Sequence, residues 1–527
     1  MKFRFPAICA MFLCLAVNAA GQEAARDFRF VYDTNPYLTL SNPSAVSFWD
    51  GRIATADVSF EKADGGLRDI GESPDSWEVV AGTESYFRIS DLVAFHGLVK
   101  WSDFSGKDMG GPIMMFPGYD PVAFYESTEE TVGTRQRELY TLGGEIALTP
   151  SRRFRVGAGI NYQAGDQTKI KDPRFSNIWM DLNVNAGVSV IITDWLTMGT
   201  SVSWRNTLEN VKGHIYGTTD RQYFIDTDKG IFFGTVAQLD GDYNYIPDST
   251  PRPMNSDYLS GALQLVFWDK FTNEFSYTVR DGYYGKRSST TATFFEFGGS
   301  KLSYSGQVLI PAGRSLHRIA LTAGTEMLNN YENKFKYTTP EGGNTVVDYT
   351  GQELVLNKQM RFAGFDYRWY GGVTEGRASI MAGVSADWDS MKLTETVYPF
   401  WRTQTLTRLS AELFCQKNFF AGSNIFTLDA AGRYAFGQGT KKRDGTYVEG
   451  ITSGALRSFD NYLDKHFEFE TAPRTGASLA LTYTRLIGQS FAPWIKVEDS
   501  FTTLLSAPEF LTGKTRNIIT VSVGCTF

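Results

Sequence analysis

The last eleven residues of the chain alternate without a break. Asn517, Ile519, Val521, Val523, Cys525 and Phe527 share one parity, and Ile518, Thr520, Ser522, Gly524 and Thr526 share the other. Successive strand residues point to opposite faces. After Asn517 the first face is apolar, and after Ile518 the second is small or hydroxylic. A strand with one face fit for lipid and the other for a polar lumen has its natural place in a membrane barrel. The expected fold is all-β: a transmembrane antiparallel up-and-down β-barrel.

The other end agrees. Lys2 and Arg4 precede an apolar stretch over 7–17, and Ala19-Ala20-Gly21 stands before Gln22. That is the order of a secretory signal peptide, too short to anchor as a span. Ile8 and Leu13 precede Cys9 and Cys14, where a lipidation site needs small residues. The expected division is signal peptide 1–21, leader or lumenal hatch 22–50, and barrel 51–527. Two cysteines then remain, Cys415 and Cys525, and nothing in their spacing brings them together.

Composition narrows the class. Aromatics make up 14% of the chain, which suits the two interfacial girdles of a barrel. Net charge is −7, and −9 once Lys2 and Arg4 are removed, which argues against nucleic acid as a partner. Alternation is clearest over 178–192 and recurs over 153–164, 258–268, 271–281, 376–388, 424–437 and 474–486. Short turns are expected near Ser90, Pro150, Asp194, Asp269, Gly313, Gly372, 418–423 and Gly488. Long loops are expected over 63–76, 105–136, 166–178, 207–257, 282–290, 327–357, 389–403, 438–473 and 503–513. Eight turns and nine loops make 18 strands, with both termini periplasmic; merging errors give 16 or 14.

The alternating terminal strand ending on Phe527 resembles the carboxyl-terminal signal of bacterial outer-membrane β-barrels. That resemblance implies Val521, Val523 and Phe527 as the assembly signal, read by the barrel-assembly machinery, and the outer membrane of a Gram-negative bacterium as the destination after Sec export. Residues 22–50 carry Asn35-Pro36 and Asn42-Pro43-Ser44-Ala45, which break strand pairing. Here the chain resembles the long-chain fatty-acid channel family, whose members begin with a hatch and an Asn-Pro-Ala-like motif; Ser44 departs from it. Over most of its length the chain resembles uncharacterised outer-membrane barrels of Bacteroidota. The competing reading of 22–50 is a disordered leader plus a first strand. The leader is far too short for the folded plug of a TonB-dependent transporter.

Little points to catalysis, and no enzyme activity or cofactor is expected. The histidines are His96, His214, His317 and His466. Asp464-Lys465-His466 has the Asp-x-His spacing used by outer-membrane aspartyl proteases, but a polar loop end is the plainer reading. Metal is not expected either. Asp226 and Asp228, with Asp240 and Asp242, offer alternating carboxylates that could wrap Ca²⁺, yet lack the later acidic ligand of a full calcium loop.

The loops are unusually apolar. Met114, Met115, Phe116, Tyr119, Phe124 and Tyr125 fall in 105–136, and Phe232, Phe233, Tyr243 and Tyr245 in 207–257. Left in water they would be costly. Three readings compete: loops folded inward over the mouth, an interface with a surface lipoprotein or another barrel, or a site for an apolar or stacking ligand. The expected function is a non-enzymatic transport role, as a passive channel or an accessory barrel of an uptake or export complex. The alternatives are a structural or assembly-complex subunit without a pore and, least favoured, a hydrolase. Val188 is expected to face lipid and Ser189 the lumen, so an arginine should be tolerated at 189 only.

Overall fold

A computed structural model describes residues 26–126, 131–217, 222–239, 246, 252–374, 376–451, 457–488 and 491–527. Residues 1–21, expected to form a signal peptide, lie outside them.

The barrel opens with Arg52–Gly65 (β1), Asp75–Arg88 (β2) and Val93–Met109 (β3). After a short strand, Ala123–Glu126 (β4), come Gly133–Leu148 (β5), Phe154–Lys169 (β6), Arg174–Thr193 (β7) and Leu196–His214 (β8). Two more short strands, Phe224–Asp228 (β9) and Phe233–Gln238 (β10), precede Arg252–Phe267 (β11), Phe271–Gly285 (β12) and Thr293–Ala312 (β13). The longest strands follow: Ser315–Thr338 (β14), Val346–Gly371 (β15), Ile380–Val397 (β16), Phe400–Ala421 (β17) and Asn424–Thr446 (β18). Arg457–Ser458 (β19) leads into a helix, and Arg474–Arg485 (β20), Ala492–Leu504 (β21) and Thr515–Thr526 (β22) finish the wall.

Eighteen of these strands form one antiparallel sheet, each paired with its neighbours along the chain. The sheet closes where β22 meets β1, with Val523 opposite Val58 and Val521 opposite Phe60. Closure leaves no unpaired edge, the condition for a sheet in lipid. Phe527 contributes directly: its N–H donates to Ala54 and its carbonyl accepts from Ala54, at 2.9 and 2.7 Å. Outward residues form an exposed apolar exterior that includes Phe60, Tyr140, Leu142, Ile160, Val184, Val202, Leu259 and Leu413.

The eight short turns fall where the alternation breaks. The long loops, however, are shorter than the sequence suggested. Residues 327–338 and 346–357 are strand, and so are 389–397 and 400–403. In these extensions apolar residues such as Val355, Leu356 and Leu393 turn into the buried cluster among polar neighbours, so the simple period-2 signal fades while the hydrogen-bonded ladder continues. The strands are correspondingly unequal: β2 has 14 residues and β15 has 26.

The lumen is filled from both ends. Residues 26–50 lie inside the barrel at the short-turn end, with helix Phe28–Thr34 (α1) and a 3-10 turn, Pro43–Phe48. Val31, Leu38, Val46 and Trp49 pack with the wall residues Ile53, Tyr86, Ala94 and Ala147. At the long-loop end β4, β9, β10 and β19 form a separate four-stranded sheet. Helix Asp460–Thr471 (α2) sits beside it.

Candidate functional site

The inserted amino-terminal segment is held by polar contacts that span the chain. Asn42 caps the 3-10 turn by accepting from the Ser44 N–H. Its Nδ2 donates to the Val188 and Thr200 carbonyls at 2.9 and 3.2 Å and to Gln264 Oε1 at 3.1 Å. Ser44 Oγ lies 2.7 Å from Ser189 Oγ. The wall is cut away to receive this motif: a Cβ on Gly157 would overlap the Ser44 backbone, and one on Gly187 the Asn42 amide. Ser189 therefore faces inward as expected, and Val188 outward, so an arginine at 189 would stay out of lipid but would meet the docked segment. The site is 4% exposed and touches the segment it would have to displace. Around the motif, Asp33 pairs with Arg368, Ser41 donates to Glu274 through both N–H and Oγ, and Arg88 donates to the Trp49 carbonyl.

At the other end the apolar loop residues come together. Met114, Phe124, Tyr125 and Phe232 are buried in one cluster with Ile113, Tyr284, Phe295, Tyr462 and Leu463. Met115 and Phe233 are buried as well. Tyr125 meets Phe232 edge-on at 5.3 Å, Phe124 lies 4.9 Å from Tyr284, and Arg402 sits over the Phe233 ring. Phe116 is half-buried, edge-on to Trp179 at 4.9 Å. Tyr243, Tyr245, Asp240 and Asp242 lie outside the described residues. The cluster is anchored to the wall by Glu126, whose buried carboxylate pairs with Arg135 and Lys169. Asp228 is a turn residue: it accepts from the Gly230 and Phe232 amides at 2.9 and 2.7 Å. Asp226 is also buried.

Beneath this lid the tip of loop 110–122 reaches into the lumen. Asp120 pairs with Arg280, and the Tyr119 hydroxyl accepts from Arg205, which also pairs with Asp181. The guanidiniums of Arg205 and Arg280 both lie within 6 Å of the Tyr119 ring. This arginine-carboxylate-tyrosine cluster was not legible in the sequence, since Tyr119 is 86 residues from Arg205 and Asp120 is 160 from Arg280.

The opposite half of the lumen is open. A cavity of about 620 Å³ runs from the short-turn end, at Thr484, Ala492 and Thr526, to mid-strand at Glu412, Arg433 and Glu498. Its walls are the inward faces of β15 to β18, β20 and β21, and its floor is α1, with Arg26, Asp27 and Arg29. Charges of both signs line it, including Arg368, Arg433 and Lys496 against Asp366, Asp429 and Glu498. Above it lies α2, whose carboxyl-terminal turn packs where a Cβ on the inward-facing Gly437 would be. Ion pairs tie α2 to the wall through Lys441–Asp464 at 2.5 Å, Lys442–Asp460 at 2.8 Å and Arg408–Glu470.

This helix replaces the loop expected over 438–473. Phe459, Tyr462, Leu463 and Phe467 carry the helical spacing that could have revealed it. Residues two apart on a helix point away from one another, so Asp464 and His466 do not act together. His466 faces Asp69 instead, with Nδ1 2.9 Å from Oδ2. Burial would lower its pKa, but the Asp69 carboxylate prevails and holds the imidazole above its ordinary value. His96 is a lumen residue, stacked on Tyr86 at 4.3 Å and facing Glu84 and Glu145.

No curated protein matches the chain. Among solved structures it is similar to the ferric preacinetobactin receptor BauA of Acinetobacter baumannii, at 8% identity and TM-score 0.40 over 91% of this chain and 80% of that one. It is also similar to a FadL homologue of Pseudomonas aeruginosa, at 12% identity and TM-score 0.32 over 96% and 99%. Likeness at these levels says nothing about a shared ligand. Residues 43–527, from the first residue of the wall-docked 3-10 turn to the carboxyl terminus, match the model of a family of unknown function, DUF6850, and the chain belongs to that family.

Proposed function

We propose that the protein is an outer-membrane barrel of a Gram-negative bacterium with a non-enzymatic transport role. The exposed apolar exterior suits lipid, and a closed 18-stranded sheet satisfies its own backbone there. The observation that carries the transport reading is the charged cavity of about 620 Å³ occupying one half of the lumen while the other half is packed. Residues 26–50 act as a hatch at the periplasmic end, and the loop sheet with α2 acts as a lid outside. Charges of both signs in the cavity favour small polar or zwitterionic solutes over apolar ones.

A second reading is favoured by one observation: both ends are covered. A barrel so closed could serve as a structural or assembly-complex subunit, in contact with a surface lipoprotein or another barrel. Planar-bilayer recordings separate the two. Purified protein should show rare or small openings, and deletion of 109–125 should enlarge them. Silence in both preparations would reject transport and leave the subunit reading, to be pursued by native co-purification.

A further inference from the structure

We propose that Asp69, His466 and Glu470 form a binding site for a divalent transition-metal ion, with Zn²⁺ as the best-suited occupant, that fastens α2 to the loop between β1 and β2. The site does not depend on whether the barrel conducts.

The three side chains offer His Nδ1 and two carboxylate oxygens, all within 4.8 Å of one another. Ligands of this type stand about 2.0–2.2 Å from zinc, so donors sharing one ion lie roughly 3–4 Å apart. His466 Nδ1 and Asp69 Oδ2 now share a hydrogen bond at 2.9 Å; an ion would take the place of the shared proton, and the two atoms need part by only about half an ångström. Glu470 needs a shift of less than an ångström or so, within the reach of its side chain. The sequence places the pair for this: His466 and Glu470 are four apart on α2 and share one face.

Two of the ligands are oriented from outside the site. Asp69 Oδ1 accepts from the Ile70 N–H at 2.8 Å. Arg408 grips Glu470 and also Asp389, fixing the carboxylate while leaving its second oxygen available. Such supporting contacts are what hold ligands in metal sites. The two carboxylates outweigh the one guanidinium, and Asp228 adds negative charge from beneath. The site is also reachable: the side chains retain 32% exposure at His466, 21% at Asp69 and 12% at Glu470. A water could complete four-coordination from that open side. One imidazole with two carboxylates suits zinc or cobalt, whereas Ca²⁺ and Mg²⁺ prefer oxygen alone.

The competing account is an ion pair between protonated His466 and Asp69, with Glu470 engaged only by Arg408. Binding decides between them. Full-length protein, purified in detergent without a histidine tag and stripped with chelator, is titrated with Zn²⁺ by calorimetry and with Co²⁺ by visible absorption. One saturable equivalent is expected, with a Co²⁺ d–d band, and Ca²⁺ should not compete. H466A and E470Q should each lose at least about tenfold in affinity while keeping heat-modifiable migration. Because H466A could loosen α2, H466Q serves as a second variant that retains a hydrogen bond to Asp69 but not the imidazole ligand. No saturable binding by the wild type, or undiminished binding in H466Q and E470Q, would overturn the site.

Discussion

The two halves of the barrel obey the same alternation and have opposite interiors. On β6 to β11 the inward positions near the short-turn end are mostly small or neutral, as at Gly157, Gly187, Ser189, Gly199 and Gln264, with Arg155 laid over the Phe48 ring of the docked segment. The amino-terminal segment docks there. On β15 to β21 the inward positions at comparable depth include Arg368, Glu412, Asp429, Arg433, Lys496 and Glu498 among small residues such as Ala431, Ser478 and Thr482, and a cavity remains. Small inward residues let another backbone approach and share its hydrogen bonds. Long charged residues hold another segment only where it brings a matching charge, as Asp33 does for Arg368, and elsewhere leave space between them. Inward polarity alone therefore does not tell a filled lumen from an open one; the density of long charged side chains does.

Substitutions can break or sharpen this contrast. The largest effect is expected in the lid over the filled half. Phe124 is fully buried, so Phe124→Ala should cost about 3–5 kcal/mol of local stability. Protease cleavage within 110–126 in the otherwise folded barrel reads that loss, and a resistant loop would contradict the packing described.

Next comes the pair on β7. Val188→Arg places a charge on the lipid face at a cost of about 2–4 kcal/mol, visible as a lowered urea midpoint for folding into vesicles. Ser189→Arg should leave insertion intact yet dislodge residues 26–50, read as new proteolysis there and larger conductance. Equal effects on insertion would mean the facing is wrong.

Between the halves, Gly187→Leu and Ala431→Leu add the same side chain to opposite walls. The first should free the docked segment and raise conductance; the second should only narrow the cavity and lower it. Changes of the same sign would erase the distinction between the halves. The smallest effect is expected for Arg433→Ser, which should leave folding unchanged and shift ion selectivity toward cations in reversal-potential measurements.

The terminal strand, the turns and the outward parity of β7 could be read in advance because each is local: the period is two, and lipid enforces it on one face. The docking of Asn42 could not, because its partners Val188, Thr200 and Gln264 are between 146 and 222 residues away. The apolar loops were legible as residues that must avoid water: four of those named, Met114, Phe124, Tyr125 and Phe232, lie in the buried cluster, and Met115 and Phe233 are buried as well. What they shelter, the Asp120–Arg280 and Tyr119–Arg205 contacts, carries no pattern, since ordinary loop polarity and ordinary lumen polarity supply both partners. The helix over 460–471 is hard to read in advance because polar and charged residues outnumber its few spaced apolar ones, of which only Tyr462 and Leu463 are buried.

With the long-loop end facing outward, as proposed, the inequality of the strands has a consequence for anything approaching the cell surface. β15 exceeds β2 by twelve residues. At about 3.3 Å per residue and a tilt of about 40°, that is roughly 30 Å of additional height. One side of the rim thus stands like a breakwater while the side at β1, β2 and β22 stays low. A phage fibre, an antibody or a docking lipoprotein would find the mouth sheltered from one quarter and would have to come in across the low shore. The first things it would meet there are the loop carrying Asp69 and the helix that loop holds.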